Sequence, residues 1–474
     1  MVSVVYSYLH NKGDNMFTKL ELKNYKGLID ASWNLSKTKS NGDYKSIVAL
    51  YGKNGAGKTT LLEPLMKLPV LLRTFTSQRS LMELQKKLTD NDETMNGQDV
   101  EKIINRLQHI RSTKIIDILK NSATFNSKGL SSITYSFLIK KEHSKNITGK
   151  YTLEFDKNGN LVQETFFSLV KQRNGKIFAI KKVNNEILVE FSRSAIVDGG
   201  FKKELISRLK QFWGVHTFFS ILNGMESTAV NDTTFKGSLS DSIYTFYRNL
   251  EGISFAKDAR QGVAFNSQIL ANPISGEITK ENSHKLNLVQ QYIQEYLISI
   301  DSDIKKAYYQ FDEMSDDKLK YNLYISKNIW GEEKNFPFKY ESNGIRKMLR
   351  LFPLIILAMN GQTVIYDEID NGVHDLILGQ IFSQIGDYMD GQLIFSTHNT
   401  TLLQTFSPSN AYLIDEKKDG TKTIKSVDEI KEIKKGHNIQ KLYLSGKLGG
   451  TPQTIDKDKL LNAFKGISKL VKDF

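Results

Sequence analysis

The chain has no cysteine, which excludes disulfides and thiolate metal sites. No apolar run approaches the roughly 20 residues that span a bilayer, and the N-terminus lacks the apolar block of a signal peptide. No repeat period, low-complexity tract or long heptad pattern stands out. These absences lead us to expect a cytoplasmic protein with no membrane contact. What remains is 39% hydrophobic and 25% charged, a balance that supports a buried core. The 474 residues fit about two to four domains. Lys and Arg exceed Asp and Glu by 65 to 52, a formal charge of +13. That excess favours polyanions such as nucleic acid, or an acidic protein partner.

The most specific segment is Gly52-Lys53-Asn54-Gly55-Ala56-Gly57-Lys58-Thr59, which fits G-x-x-x-x-G-K-[ST]. A short apolar stretch, Ser46–Leu50, precedes it and reads as a buried strand. A helix start at Thr60-Leu61-Leu62 follows. Strand, glycine-rich loop and helix N-terminus together make an anion cradle. Lys58 is expected on the β- and γ-phosphates, and Thr59 on Mg²⁺. Gly52, Asn54, Gly55, Gly57, Lys58, Thr59 and Thr60 are therefore candidates for binding ATP, with Lys26 approaching a phosphate from the side.

A second constellation lies near the other end. Thr363-Val364-Ile365-Tyr366-Asp367-Glu368 is an apolar strand ending in two acids. Adjacent carboxylates at a buried strand end are costly unless a cation or water satisfies them. Asp367 is placed to hold Mg²⁺, and Glu368 to orient or deprotonate an attacking water. A further buried strand, Gln392–Ser396, leads to His398, at the strand end where ligands bind in open α/β sheets. Glu368 and His398 are the candidate catalytic pair. Upstream, Ser342-Asn343-Gly344 opens a helix and can donate to a phosphate, or act as a plain N-cap.

Between these segments the pattern changes twice. Residues 61–125 carry helical spacing, including Ile103, Ile104, Leu107 and Ile110. Residues about 130–192 alternate with period two and contain the turn signals Asn158-Gly159, Arg173-Asn174-Gly175 and Asn184-Asn185, so they read as an antiparallel meander. Residues about 200–300 read as helical. The expected organisation is a split head, 16–70 and 338–474, around an inserted lobe, 71–337. Residues 1–15 form an N-terminal extension, with Met16 the expected native start.

The order of these pieces resembles the ABC-type ATPases, and within them the RecF/SMC-like branch. The matching residues are Leu20–Gly27, Gly52–Thr59 (Walker A), Ser342-Asn343-Gly344 (a reduced signature), Thr363–Glu368 (Walker B), Asp370 (D-loop) and His398 (switch histidine). More narrowly, Asp367–His374 and the tail Gly436–Gly450 resemble the AAA ATP-binding proteins of bacterial anti-phage abortive-infection systems. The resemblance implies an α/β P-loop head of ABC type carrying an inserted β meander and a helical insert. It implies ATP, Mg²⁺ and a homodimer or higher oligomer of head-to-tail pairs, with Ser342–Gly344 and Asp370 completing a partner's nucleotide site. A Q-loop glutamine is not evident, and Gln78 is the one candidate. Three functions stay open: a defence ATPase controlling a separate nuclease or toxin, triggered by DNA or a phage protein; a RecF-like DNA-repair ATPase; and a non-hydrolysing scaffold. The stretch after His398 is too short for a fused nuclease, so the effector is expected to act in trans. Seven lysines between Lys417 and Lys435 suit either kind of partner.

Overall fold

A computed structural model describes residues 15–37, 43–89, 112–125, 127–141, 145–170, 173–228, 232–257, 260–262, 270, 272–315, 317–417, 420–430, 433, 437–450 and 456–472. The expected extension 1–15 and the helix around Ile103–Ile110 lie largely or wholly outside these residues. Strands β1 (Asn15–Tyr25) and β2 (Leu28–Asn34) form a hairpin. Alternation puts Leu20, Leu22, Ala31 and Trp33 in the core. The two-residue turn needs left-handed backbone at both central positions, and Lys26 and Gly27 supply it at φ 44° and 84°.

The fully buried β3 (Ile47–Tyr51) leads through the phosphate loop to helices α1 (Lys58–Leu71) and α2 (Thr74–Thr89). Next come β4 (Ser131–Ile139), β5 (Ile147–Phe155), β6 (Leu161–Val170), β7 (Arg173–Val183) and β8 (Glu186–Phe191). They form the meander read from the period-two pattern. It does not stand apart, because the sheet runs β2-β1-β4-β5-β6-β7-β8. Hairpin and meander thus share one hydrogen-bonded surface. Arg173-Asn174-Gly175, a turn by its sequence, lies inside β7, where Gly175 pairs with Ser168. The connection passes through 171–172 instead, outside the described residues. One face of the sheet packs Phe137, Phe166 and Phe178 against Phe246 and helix α3 (Phe218–Glu226). Ring centroids are 4.2 Å apart in both Phe178–Phe218 and Phe137–Phe246.

That core encloses Glu164. Its carboxylate accepts from Tyr151 OH at 2.7 Å, Trp213 Nε1 at 2.7 Å and the Phe218 backbone N–H at 2.9 Å. Burial nevertheless dominates over these donors and pushes its pKa up to about 7. A carboxyl whose pKa is higher folded than unfolded stabilises the fold below the unfolded value, and that contribution is lost as pH rises through the folded one. The Glu164 contribution to stability should therefore fall between about pH 4.5 and pH 7, by up to roughly 3 kcal/mol. His216 is pushed the other way, down to about 4, by burial, so the wild-type slope alone mixes two effects. The difference between wild type and Glu164→Gln isolates the glutamate. Urea melts at pH 5, 6, 7 and 8 should show the variant gaining stability relative to wild type as pH rises towards 7, because the opposing rise from His216 is no longer offset, and identical slopes would refute the assignment.

Further along, β9 (Ser254–Lys257) pairs with β10 (Arg260–Gly262). Strands β11 (Ser275–Thr279), β12 (Ile304–Ser315), β13 (Lys318–Ile329) and β14 (Glu332–Pro337) make a separate antiparallel sheet. It shares a core with Leu286, Ile293 and Leu297 of the helix Ser283–Ile300. The chain then passes through helix α4 (Asn343–Met359) to β15 (Thr363–Asp367), β16 (Gln392–Ser396), β17 (Ala411–Glu416) and β18 (Lys422–Ser426).

These last strands build the second large sheet, in the order β10-β9-β15-β16-β3-β17-β18. Its five central strands are parallel, and β3, β15 and β16 are buried at every position, as expected of a sheet covered on both faces. The acid-bearing β15 and the loop-bearing β3 flank β16, so their carboxyl ends open on one crevice. β9 comes from the stretch that reads as helical; four residues are too few to show a period. The Gln392 side chain ties the two large sheets together. Its amide accepts from Phe17 N–H at 2.9 Å and donates to the carbonyls of Phe17 at 3.0 Å and Lys45 at 3.1 Å. No described helix is long and apolar enough to cross a membrane.

Candidate functional site

The loop after β3 is built from backbone conformations that a side chain resists. Gly55 and Gly57 sit at φ 78° and 107°, in the left-handed region that glycine enters without steric cost. Lys58 opens α1 and is buried, its Nζ donating to the Gly52 carbonyl at 2.8 Å. Burial pulls the Lys58 pKa down, and the nearby carboxylates of Glu368, Asp367 and Asp370 oppose that shift. A cation held half-desolvated beside carboxylates is prepared to meet an anion. Asn54 and Gly55 are exposed at the crest of the loop, with Thr60 half-buried in the first turn of α1.

A hydrogen-bonded chain joins the loop to the acids. Thr59 Oγ1 donates to Asp367 Oδ2 at 2.7 Å, Ser396 Oγ donates to Asp367 Oδ1 at 2.6 Å, and the Glu368 backbone N–H donates to Ser396 Oγ at 2.7 Å. Asp367 is buried, whereas Glu368 and His398 are exposed beside it. Glu368 has φ 57°, a conformation that costs a non-glycine residue about 1–2 kcal/mol and that marks functional loops. Asp370 Oδ2 accepts from the His398 backbone N–H at 3.0 Å, while its Oδ1 is buried with no partner. Burial, then the neighbouring Lys58, pull the His398 pKa below its ordinary value.

Thr59 and Asp367 bring two hard oxygen donors together, a set that fits Mg²⁺. That ion keeps several waters and binds through one or two protein oxygens plus substrate phosphates. Among the described residues no cluster of three or more His, Cys, Asp or Glu could hold a metal ion.

Ser342, Asn343 and Gly344 begin α4. Ser342 Oγ accepts from the Ile345 N–H at 3.3 Å, and Asn343 Oδ1 takes the Arg346 guanidinium. Ser342 is thus an N-cap, and Ser342 and Asn343 both stand exposed. Among the described residues no hydrogen bond joins this turn to the phosphate loop of the same chain. Lys26 forms an ion pair with Glu63 of α1 at 2.7 Å, so its ammonium is held against the helix. Gln78 in α2 meets His216 Nε2 at 2.7 Å, a bond inside the helical lobe.

Four contributors escaped the sequence reading. Ser396 bridges the two acids; its place two residues before His398 at a strand end was the available signal. Lys347 of α4 donates to the carbonyl of Glu368 at 3.2 Å and to that of Asn371. Lys422 reaches the Gly55 carbonyl at 3.4 Å, and Lys53 pairs with Glu416 at 2.9 Å. The glycine-rich tail also packs on the loop. The Gly450 N–H donates to Asp415 Oδ1 at 3.3 Å, and a Cβ on Gly450 would lie 3.6 Å from the Cα of Gly52. Tyr443 meets Tyr51 edge-on at 5.9 Å. Of the tail lysines, Lys418, Lys431, Lys434 and Lys435 lie outside the described residues.

Residues 240–404 match the family model of an AAA domain described as putative AbiEii toxin, Type IV TA system. The match takes in α4, β15 and β16 and leaves the phosphate loop outside. No curated protein matches the chain. Among solved structures, an SMC head bound to the C-winged helix domain of ScpA aligns at 10% identity over 87% of this chain and 99% of that one, with a TM-score of 0.41. The SMC head domain from Thermotoga maritima aligns at 11% over 87% and 99%, with a TM-score of 0.37. The recombination mediator RecF aligns at 12% over 88% and 99%, with a TM-score of 0.33. Fold and site define an α/β protein with a phosphate-loop motif at the end of a parallel strand in a mixed sheet, together with a large antiparallel sheet and helices. Within it, residues 240–404 are similar to the AAA domain of that toxin-associated family.

Proposed function

We propose that the chain is an ATPase head that pairs head to tail with a second copy on ATP and passes that state to a separate effector, a nuclease or toxin, in a bacterial anti-phage defence system. The observation that carries this reading is the bonded chain Thr59–Asp367–Ser396–Glu368 with Glu368 and His398 exposed beside it. Such a site has the groups to bind and hydrolyse ATP but lacks a cover, which an exposed Ser342–Gly344 turn from a second copy would provide. Lys58 and the loop amides would bind the phosphates, and Glu368 would orient the attacking water while His398 contacts the terminal phosphate. Thr59 and Asp367 would hold Mg²⁺, which supplies charge neutralisation to the transferred phosphoryl group. The defence role is supported by the toxin-associated family match over 240–404.

Sedimentation velocity with and without ATP and Mg²⁺ tests the pairing. Wild type should shift to a dimer or larger species with ATP, and Ser342→Arg should abolish the shift while leaving nucleotide affinity within about threefold. An ATP-independent monomer in the wild type would overturn the reading. The formal charge of +13 supports the RecF-like alternative, in which the lone protein binds DNA. Affinity falling by 10³-fold or more between about 50 and 200 mM salt would favour repair. Tight binding to an acidic partner protein, without DNA affinity, would favour effector control.

A further inference from the structure

The loop from Glu368 to Gly372 is held from two sides by different parts of the fold. On one side the Glu368 N–H donates to Ser396 Oγ at 2.7 Å, and Ser396 is fixed to Asp367 at the end of buried β16. That anchor belongs to the central sheet. On the other side the Glu368 carbonyl accepts from Lys347 Nζ at 3.2 Å, and the same ammonium reaches the Asn371 carbonyl and lies 5.6 Å from the centre of the Tyr366 ring. This second anchor belongs to α4. The first turn of α4 touches the loop again, since a Cβ on Gly344 would sit 3.1 Å from the Gly372 carbonyl oxygen. Between the two anchors Glu368 is kept at φ 57°, a conformation it would leave if released.

We propose that Lys347 is a positioning residue: it holds Glu368 in its left-handed backbone conformation and makes the aim of that carboxylate depend on where α4 lies. The inference rests on the reading that Glu368 serves ATP hydrolysis, and it deepens that reading into regulation. The turn that starts α4 is the one proposed to cover the nucleotide of a second copy. Engagement of Ser342–Gly344 there would move α4, and a displacement of less than 1 Å takes the Lys347 contact beyond hydrogen-bond range. Each site would then report its partner's nucleotide state to its own glutamate. Lysine suits the task because its compact ammonium can serve two carbonyls at once.

The test compares Lys347→Met, which keeps the apolar stem, with Lys347→Arg, which keeps the charge. Expected for Lys347→Met is a kcat about tenfold to a hundredfold lower, with nucleotide Kd within twofold of wild type, ATP-dependent pairing intact and any cooperativity in ATP lost. Lys347→Arg should recover most of the kcat. Amide hydrogen exchange in the nucleotide-free protein gives a readout independent of turnover: the Glu368 amide should exchange about tenfold faster in Lys347→Met, with strand β16 unchanged. A wild-type kcat in Lys347→Met, or a loss of kcat matched by equal losses of nucleotide binding and thermal stability, would overturn the proposal. If the wild type turns over no ATP, the hydrolysis reading fails, and unchanged Glu368 exchange would sink the positioning role on its own.

Discussion

Lys58→Ala should lose nucleotide affinity by about 10-fold to 1000-fold, while the nucleotide-free protein becomes no less stable. The two halves of this expectation have one cause. The ammonium is buried on its own loop, with the Gly52 carbonyl at 2.8 Å as its one good acceptor and the Lys53 carbonyl at 3.5 Å as a poor one. Without a phosphate the desolvation is only partly repaid, as the downward shift of its pKa shows. Removing it therefore relieves a cost in the empty protein. With ATP present the same ammonium makes charge-assisted bonds to phosphate oxygens. Such bonds contribute about 1.5–3 kcal/mol each, and every 1.4 kcal/mol is tenfold in affinity. Titration with a fluorescent ATP analogue, beside a thermal melt, reads both halves. Affinity within threefold of wild type would remove Lys58 from the site.

Glu368→Gln should have the opposite signature: ATP bound as tightly as in wild type, turnover lower by about 10²–10⁴, the range for loss of a general base, and paired protein accumulating. The amide keeps the shape and hydrogen-bonding reach of the side chain but cannot accept a proton. The backbone bonds to Ser396 and Lys347 do not involve the side chain and should survive. Glu368→Gly offers an internal control. It should lose turnover as well, yet gain about 1 kcal/mol of stability, because glycine accepts φ 57° without steric cost. A Glu368→Gln protein that turns over ATP at the wild-type rate would end the assignment.

The parts of the site legible in the sequence are those whose geometry is local. Gly52–Thr59 could be read because eight consecutive residues fix a strand exit, a loop and a helix start. The strand ending in Asp367 and Glu368 could be read because an apolar run closed by two acids needs a cation nearby. The bonds that join these pieces could not. Thr59 and Asp367 are separated by 308 positions, and no periodicity reports which strands become neighbours. Ser396 is an ordinary serine until β15 and β16 align. Lys347 falls among the polar residues opening an apolar helix, where a lysine needs no explanation. The meander was legible from its alternation, but its union with β1 depends on an edge that only folding reveals. The Asn-Gly pair in β7 misled for the converse reason: a strong local turn signal yields when cross-strand partners hold the segment extended, as Leu169 does opposite Asn174 and Ser168 opposite Gly175.

The placement of β9 bears on how small this molecule can be made. β9 pairs with β15 along its whole length, Lys257 lying opposite Asp367, and β4 covers β1 in the same way. Cutting out the middle of the chain to obtain a minimal nucleotide-binding fragment would strip both strands of their neighbours. Each would then present a bare row of amides and carbonyls, the template for chain-to-chain aggregation. The intervening residues, whatever message they carry, are what keep the parallel sheet from sticking to other copies of itself.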